Sequence, residues 1–301
     1  MNRNNLIFVR LVSAVMKRIP SLLLVVCLFS ANLYAESGYR KFDNLVRRIM
    51  MSGLDSTFIS MSPTSWEIPA NLAVHGITTS ITTSSGKEQK LSTGNVAQFG
   101  IGIGYHGLDF LWTKGFGPNS SPKDNYFEFN FYDNYWGFQM INSTRWNNDV
   151  GYYSATYGGY FAFNGKRYSY PASIYGNYIQ KKSAGSAMIF FWYDKNMTLQ
   201  GHDGGNPFEL HTFALCGGYG HNFVLNGGKT LFNVTGAMGL MAPYWGISSQ
   251  FRFCFMHWFT ENIRINASAT QYSSAGWRSG GRELLSTEWM ANVGIGICFG
   301  K

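Results

Sequence analysis

Charge is scarce in this chain. Only 13% of its 301 residues are Asp, Glu, Lys or Arg, against ~25% in an ordinary soluble domain. Long hydrophobic runs are missing as well: beyond the N-terminal segment no apolar stretch approaches the ~18 residues that a spanning helix needs, which excludes a helical membrane protein. A basic patch is also lacking. Arg3, Arg10, Lys17 and Arg18 stand before residue 36 without an acid beside them, leaving 20 basic residues against 16 acidic in the rest. With no Lys- or Arg-dense stretch among these, nucleic acid is set aside as a partner. Aromatics, by contrast, are plentiful at 17%, and 45% of the chain is hydrophobic. Disordered chains show the opposite composition. The 35 glycines and the aromatics together suggest a large β-protein.

The N-terminus reads as an export signal. Lys17 and Arg18 precede an apolar stretch over residues 19–33, and Ala35 closes it as a small residue, the order of a secretory signal peptide. Cleavage is expected after Ala35, with Met16 as the expected true start. Residues 1–35 then form the signal, and residues 36–66 a periplasmic segment with a short helix. Phe42, Leu45, Val46, Ile49 and Met50 have helical spacing over 38–51, and 55–66 reads as irregular chain. Of the four cysteines, Cys27 leaves with the signal. Cys216, Cys254 and Cys298 remain, and an odd number argues against a disulfide framework. Each lies in a strand pattern as a small buried residue.

From residue 67 to 301 the dominant period is two. Phe127, Phe129 and Phe131 alternate with Tyr126, Glu128, Asn130 and Tyr132; Val293 and Ile295 alternate with Asn292, Gly294 and Gly296. Twelve such segments are predicted: 71–84, 94–106, 107–116, 125–133, 135–145, 167–179, 184–194, 210–224, 229–242, 248–259, 262–273 and 287–300. Pro171 in the sixth cannot donate to a ladder and implies a bulge or a late strand start. Connections after even strands are tight, as at Tyr105-His106-Gly107, Asp133-Asn134 and Asn226-Gly227-Gly228. Those after odd strands are mostly long: 85–93, 117–124, 146–166, 195–209 and 274–286. Short turns on one rim and long loops on the other mark a bacterial outer-membrane barrel, and an even count returns the chain to the periplasmic rim.

The expected fold is therefore all-β: a transmembrane antiparallel barrel of about twelve strands behind a short N-terminal helix. Lipid leaves backbone groups unsatisfied, so a spanning sheet must close. Its outer face must be apolar, which assigns Phe99, Ile101, Phe127, Phe129, Ile265, Val293 and Ile295 to lipid. The same parity places Asp109, Glu128, Arg252, Arg264 and Glu288 in the lumen. Arg252 and Arg264 are expected to pair with Glu128, Asp109 or Glu288, because unpaired charges in a confined interior are poorly hydrated.

Three stretches carry a resemblance. Phe163-Asn164-Gly165-Lys166-Arg167-Tyr168-Ser169-Tyr170 with Gln180-Lys181-Lys182-Ser183-Ala184-Gly185-Ser186, Asp55-Ser56-Thr57-Phe58-Ile59, and Gly104-Tyr105-His106-Gly107-Leu108 together resemble an uncharacterised Bacteroidetes barrel family, domain of unknown function 4421, over about residues 50–300. The resemblance implies an outer-membrane barrel and carries over no catalytic residue or ligand.

Sites of chemistry are hard to find. No pair of the six histidines has a tight metal-ligand spacing. Gly201-His202-Asp203-Gly204-Gly205 lacks the carboxylates of a calcium loop and reads as a flexible loop. Ser183, Ser186, Ser248, Ser249 and Ser268 stand in no nucleophile motif. Gly100-x-Gly102-x-Gly104 and Gly294-x-Gly296 fall on one strand face and let interior side chains approach the wall. The expected protein is a cell-outer-membrane, porin-like barrel without enzymatic activity, cofactor or metal. Its lumen is narrow or plugged by side chains, closed more readily at twelve strands than at sixteen. Its role is structural, small-solute-binding or glycan- and envelope-binding, with Tyr152, Tyr153, Tyr157, Tyr160 and Trp277 on the long loops as the working surface. Outer-membrane lipid and the barrel-assembly machinery are the expected partners. The alternatives are a lipid- or envelope-modifying outer-membrane enzyme and a soluble secreted β-protein.

Overall fold

The computed structural model of the chain describes residues 36–82, 86, 88–147, 150–198, 209–278 and 281–300. The signal peptide expected over residues 1–35 and the glycine-rich loop at 201–205 lie outside these. Helix α1 (Glu36–Met50) lies, up to its last residue, in the first of two units, which ends at Ile49. Within it Asp43 and Arg47 pair one turn apart at 2.7 Å. Arg47 and Arg48 sit in the last turn, where cations suit the negative end of the helix dipole.

Among the described residues the second unit, from Met50 on, contains fourteen strands. Ten of them are β1 (Ile59–Met61), β2 (Trp66–Thr82), β3 (Glu88–Tyr105), β4 (Leu108–Phe116), β5 (Asn125–Tyr132), β6 (Trp136–Asn147), β7 (Val150–Ala162), β8 (Tyr178–Gln180), β9 (Ala184–Thr198) and β10 (Glu209–Leu225). The last four are β11 (Thr230–Ala242), β12 (Trp245–Trp258), β13 (Ile263–Arg278) and β14 (Arg282–Phe299). Strands β2–β7 and β9–β14 close into a twelve-stranded antiparallel barrel, each paired with its sequence neighbour and β14 with β2. We call the end where β2 begins and β14 finishes the near end.

Alternation explains the wall. In β5 the side chains of Tyr126, Glu128, Asn130 and Tyr132 are buried inside, while Phe127, Phe129 and Phe131 stand outside. The outer face is apolar: Phe99, Phe213, Leu215, Phe253, Val293 and Ile297 are all exposed large hydrophobics. Large aromatics mark both rims of this face. Trp245 and Trp277, register partners on neighbouring strands, stand at the far end, and Trp136, Phe163 and Phe259 at the near end. Turns fix the registers. His106 (φ 46°) and Gly107 (φ 91°) join β3 to β4, both left-handed as a two-residue hairpin requires.

One strand and its loop depart from expectation. The sixth wall strand is β7 at Val150–Ala162, not 167–179, and it follows β6 through residues 148–149 alone. Tyr152, Tyr153, Tyr157 and Tyr160 are thus wall residues rather than loop residues. Residues 163–183 form the longest connection, and they lie at the near end, reversing the expected contrast of short near turns and long far loops. Pro171 opens a 3-10 turn (Pro171–Ser173) instead of bulging a strand. Other far-end loops shrink too, because strands run on: β2 and β3 are separated by residues 83–87 only.

Candidate functional site

Residues 168–180 of the connection 163–183 are buried or half-buried inside the barrel. They join no wall ladder, so local turns, the short β1–β8 ladder and side chains satisfy their backbone. Gln180 is the hub: its Oε1 accepts from Ser169 N (2.8 Å) and Asn222 Nδ2 (3.1 Å), and its Nε2 donates to Arg167 O (2.7 Å). From β10, Asn222 Nδ2 also donates to Ser169 O at 2.8 Å. From β11, Asn233 Nδ2 donates to Asn222 Oδ1 (2.8 Å) and to the fully buried Tyr168 Oη (3.2 Å). Across the lumen, Asn130 Nδ2 on β5 donates to Tyr175 Oη (2.5 Å), which donates in turn to Glu128 Oε1 (3.1 Å). Arg252 Nη1 on β12 donates to Tyr170 Oη at 3.1 Å. The short β8 pairs with β1, joining Ile59 to Gln180 and Met61 to Tyr178. Side chains from opposite walls therefore meet in the segment, called the plug below.

The near end carries the strongest electrostatic tie. Arg264, 1% exposed, has its Nη2 on Glu67 Oε1, and Glu67 Oε2 accepts Gly176 N of the plug at 3.2 Å. Gly296 is bare here for a reason: a Cβ at that position would lie 2.9 Å from Arg264 Nε. This fits the expectation that the strand glycines let interior side chains approach the wall.

The five charges assigned to the lumen do point inward, but their partners differ from those expected. Arg264 takes Glu67, which lies at the start of β2 in a stretch without clear alternation. Arg252 takes Tyr170 Oη and meets no carboxylate within ion-pair distance among the described residues. Glu128 is held by hydroxyl and amide groups, including Tyr126 Oη (2.9 Å) and Gln139 Nε2 (2.8 Å). Glu288 accepts from His75 at 2.7 Å. Arg145 Nη2 lies 2.5 Å from His75 Nδ1, and a guanidinium only donates. Nδ1 is therefore the acceptor and Nε2 carries the proton that reaches Glu288. Asp109 is buried with its Oδ2 unpartnered. His75 and Arg145 escaped the sequence reading; an inward parity shared with Glu288 was the available signal.

The set assigned to lipid stands on the outer face: Phe99 (46% exposed), Ile101, Val293 (55%) and Ile295, with Phe127, Phe129 and Ile265 partly covered by neighbours. Cys216, Cys254 and Cys298 are buried and unbridged. Ser183, Ser186, Ser248, Ser249 and Ser268 hydrogen-bond no histidine among the described residues; Ser248, for example, meets Ser274 at 3.0 Å. One titratable chain lies on the outer wall. Tyr193 Oη sits 2.5 Å from His211 Nδ1 and His211 Nε2 3.2 Å from Glu209, whose carboxylate Lys195 also holds at 2.7 Å.

Above the plug, toward the far end, the lumen holds a cavity of ≈ 110 Å³. Tyr132, Tyr160 and Tyr170 form its base, and Asp194, Arg252 and Glu288 line it. A second cavity of ≈ 100 Å³ lies beside Ile174 and Tyr175, between the plug and the walls of β3, β4 and β13. No group of three metal-ligating side chains converges among the described residues.

No protein-family description and no curated protein matches the chain. Among solved structures, the translocator domain of the autotransporter NalP from Neisseria meningitidis is 14% identical, covering 89% of this chain and 100% of its own, with TM-score 0.39. The KdgM porin in complex with disordered oligogalacturonate is 8% identical (75% and 99% covered, TM-score 0.33), and the P. putida toluene transporter TodX 10% (80% and 91%, TM-score 0.28). At these scores the fold description rests on the registers above.

Proposed function

We propose that this chain is an outer-membrane barrel whose lumen is closed by its own segment 163–183, and that it holds a small solute or envelope component without catalysis and without conducting. One observation carries the reading: a twenty-odd-residue connection is tied by named side chains to strands on opposite sides of the barrel, where a free path would have to run. The membrane location is supported by the wall chemistry. A predominantly apolar outer face with aromatic rims and a polar interior is what lipid demands of a closed sheet. In a soluble barrel the polarity would be inverted. Kinship with the Bacteroidetes family resembled above belongs to the same proposal.

The test is planar-bilayer conductance of the refolded full chain. Near-silence is expected. A variant with residues 168–176 replaced by a Gly-Ser run of equal length should show large, stable steps, while both proteins keep the heat-modifiable gel mobility of a folded barrel. Porin-like steps from the unaltered chain would overturn the plug, and hydrolysis of labelled phospholipid or lipopolysaccharide would overturn the absence of catalysis.

A further inference from the structure

Among the described residues two lumen arginines have no carboxylate in ion-pair distance, Arg145 and Arg252, and of these Arg252 lines a cavity. Arg264 has Glu67 and Arg145 meets His75 Nδ1. Arg252 donates to the neutral Tyr170 Oη and lies beside the Cys254 thiol, and its Nε is sealed without a hydrogen-bond partner. A guanidinium carries five N–H donors in a planar fork shaped for a carboxylate, and a cation left without a counter-ion in a confined interior is costly. The cavity of ≈ 110 Å³ lies against this group. Its walls are of two kinds. Aromatic rings stand on one side, with Trp192 edge-on to Tyr272 at 6.2 Å and Tyr160 edge-on to Tyr170 at 4.7 Å. Gln250 and Thr156 supply polar atoms near the rings. The volume is of the same order as the ~150 Å³ cavity that admits benzene in another protein, larger than a bare halide needs and too small for an oligosaccharide.

We propose that this cavity is a binding site for a small, flat organic carboxylate, whose charged end docks on Arg252 and whose ring lies among Trp192, Tyr170 and Tyr272. The proposal rests on the plugged-lumen reading, because only a closed barrel makes the cavity a blind pocket rather than a stretch of channel. Asp194 and Glu288 also line the pocket and oppose an anion, so they set a limit on affinity.

Benzoate is the probe and benzamide its neutral counterpart, titrated calorimetrically into the full chain refolded in detergent micelles, with empty micelles as the blank. One site of about millimolar affinity is expected for benzoate, with benzamide weaker by about tenfold or more. Arg252→Gln should lose about tenfold or more for benzoate and leave benzamide unchanged. Asp194→Asn, which keeps Arg252 and the plug contact intact, should tighten benzoate severalfold. A merely structural role for Arg252 would not produce that opposite shift, and the Asn variant keeps the proposal testable if the Gln variant does not fold. Equal affinity for benzoate and benzamide, no saturable benzoate heat, or an Asp194→Asn variant that binds no tighter would overturn the site. A silent barrel that ignores benzoate sinks this inference alone; a conducting one sinks the plug first.

Discussion

The wall of the barrel and the plug inside it are both shut away from bulk water over most of their polar groups, and they satisfy them by different means. Along β13 and β14 each residue from Ile263 to Arg278 has a register partner, so the backbone closes on itself whatever the side chains are. In the plug, Ser169 has both its backbone N–H and its C=O taken by side chains, those of Gln180 and Asn222. A ladder leaves side chains free to alternate for other reasons, which here are an apolar outer face and a polar lumen. A side-chain scaffold leaves no such freedom. The wall therefore tolerates exchange within a face, and the plug depends on identities.

The largest effect should come from the residue that serves both regions. Glu67 belongs to the wall, holds Arg264 of β13 across the intervening β14 and accepts Gly176 N of the plug. Glu67→Ala leaves Arg264, 1% exposed, as a buried charge without a counter-ion, held among the described residues only by Asn266 Oδ1, at a cost of about 3–5 kcal/mol. The readout is the urea midpoint of the folded, heat-modifiable band. Adding Arg264→Met should recover much of the loss, since the uncharged side chain removes the stranded cation. If the double variant is no more stable than the single one, the pair is not what joins wall to plug.

A wall-only change should cost less and leave the plug silent. Phe129 lies on the outer face of β5 with its ring 4.8 Å from that of Phe110. Arg there should cost ~2–4 kcal/mol if the site sits near the bilayer midplane, with bilayer conductance still near zero. Spin labels at Phe99, Ile101, Phe127, Phe129, Ile265, Val293 and Ile295 sharpen the point. Their spectra should respond to oxygen and not to a polar nickel reagent, and the reverse pattern would turn the wall inside out.

The same contrast explains what could be read from the chain. Eleven wall strands overlap predicted segments, because one face is apolar and the other is not. β7 escaped because tyrosine stands on both faces: Tyr152 and Tyr160 inside, Tyr153 and Tyr157 outside. Alternation of polarity vanishes there while the ladder persists. Residues 167–179 imitate a strand, since Tyr168, Tyr170 and Ile174 fall at even spacing, and nothing local says that these rings meet a lumen instead of a bilayer. The far end of β3 was read short for a related reason. Residues 88–93, Glu88-Gln89-Lys90-Leu91-Ser92-Thr93, carry polar side chains at both parities, as a rim allows. Glu67 was passed over because its partner lies almost two hundred positions away, and only register brings them together.

The smallest effect should come from the plug's outermost fastening. Asp55 stands where solvent reaches it. It accepts Thr57 Oγ1 at 2.7 Å and Thr57 N at 3.1 Å, and Arg167 Nε of the plug segment lies 3.2 Å from its second oxygen. The Thr57 hydroxyl and amide, and then the guanidinium, favour the ionised carboxylate and hold its pKa below the usual carboxylate value. The sign follows by linkage. A group whose pKa is depressed by folding stabilises the fold above its unfolded value near ~3.9, and that contribution is lost as the pH falls through the folded value. Asp55→Asn should therefore lower the urea midpoint slightly at neutral pH and change nothing in strong acid, where the native residue is protonated as well. Because the pair with Arg167 is exposed, salt should shrink even the neutral-pH difference. A large loss, or one that survives at acid pH, would mean that segment 53–58 bears on the plug through its backbone, by Asp55 N to Lys166 O and Lys181 N to Phe58 O, and not through this carboxylate.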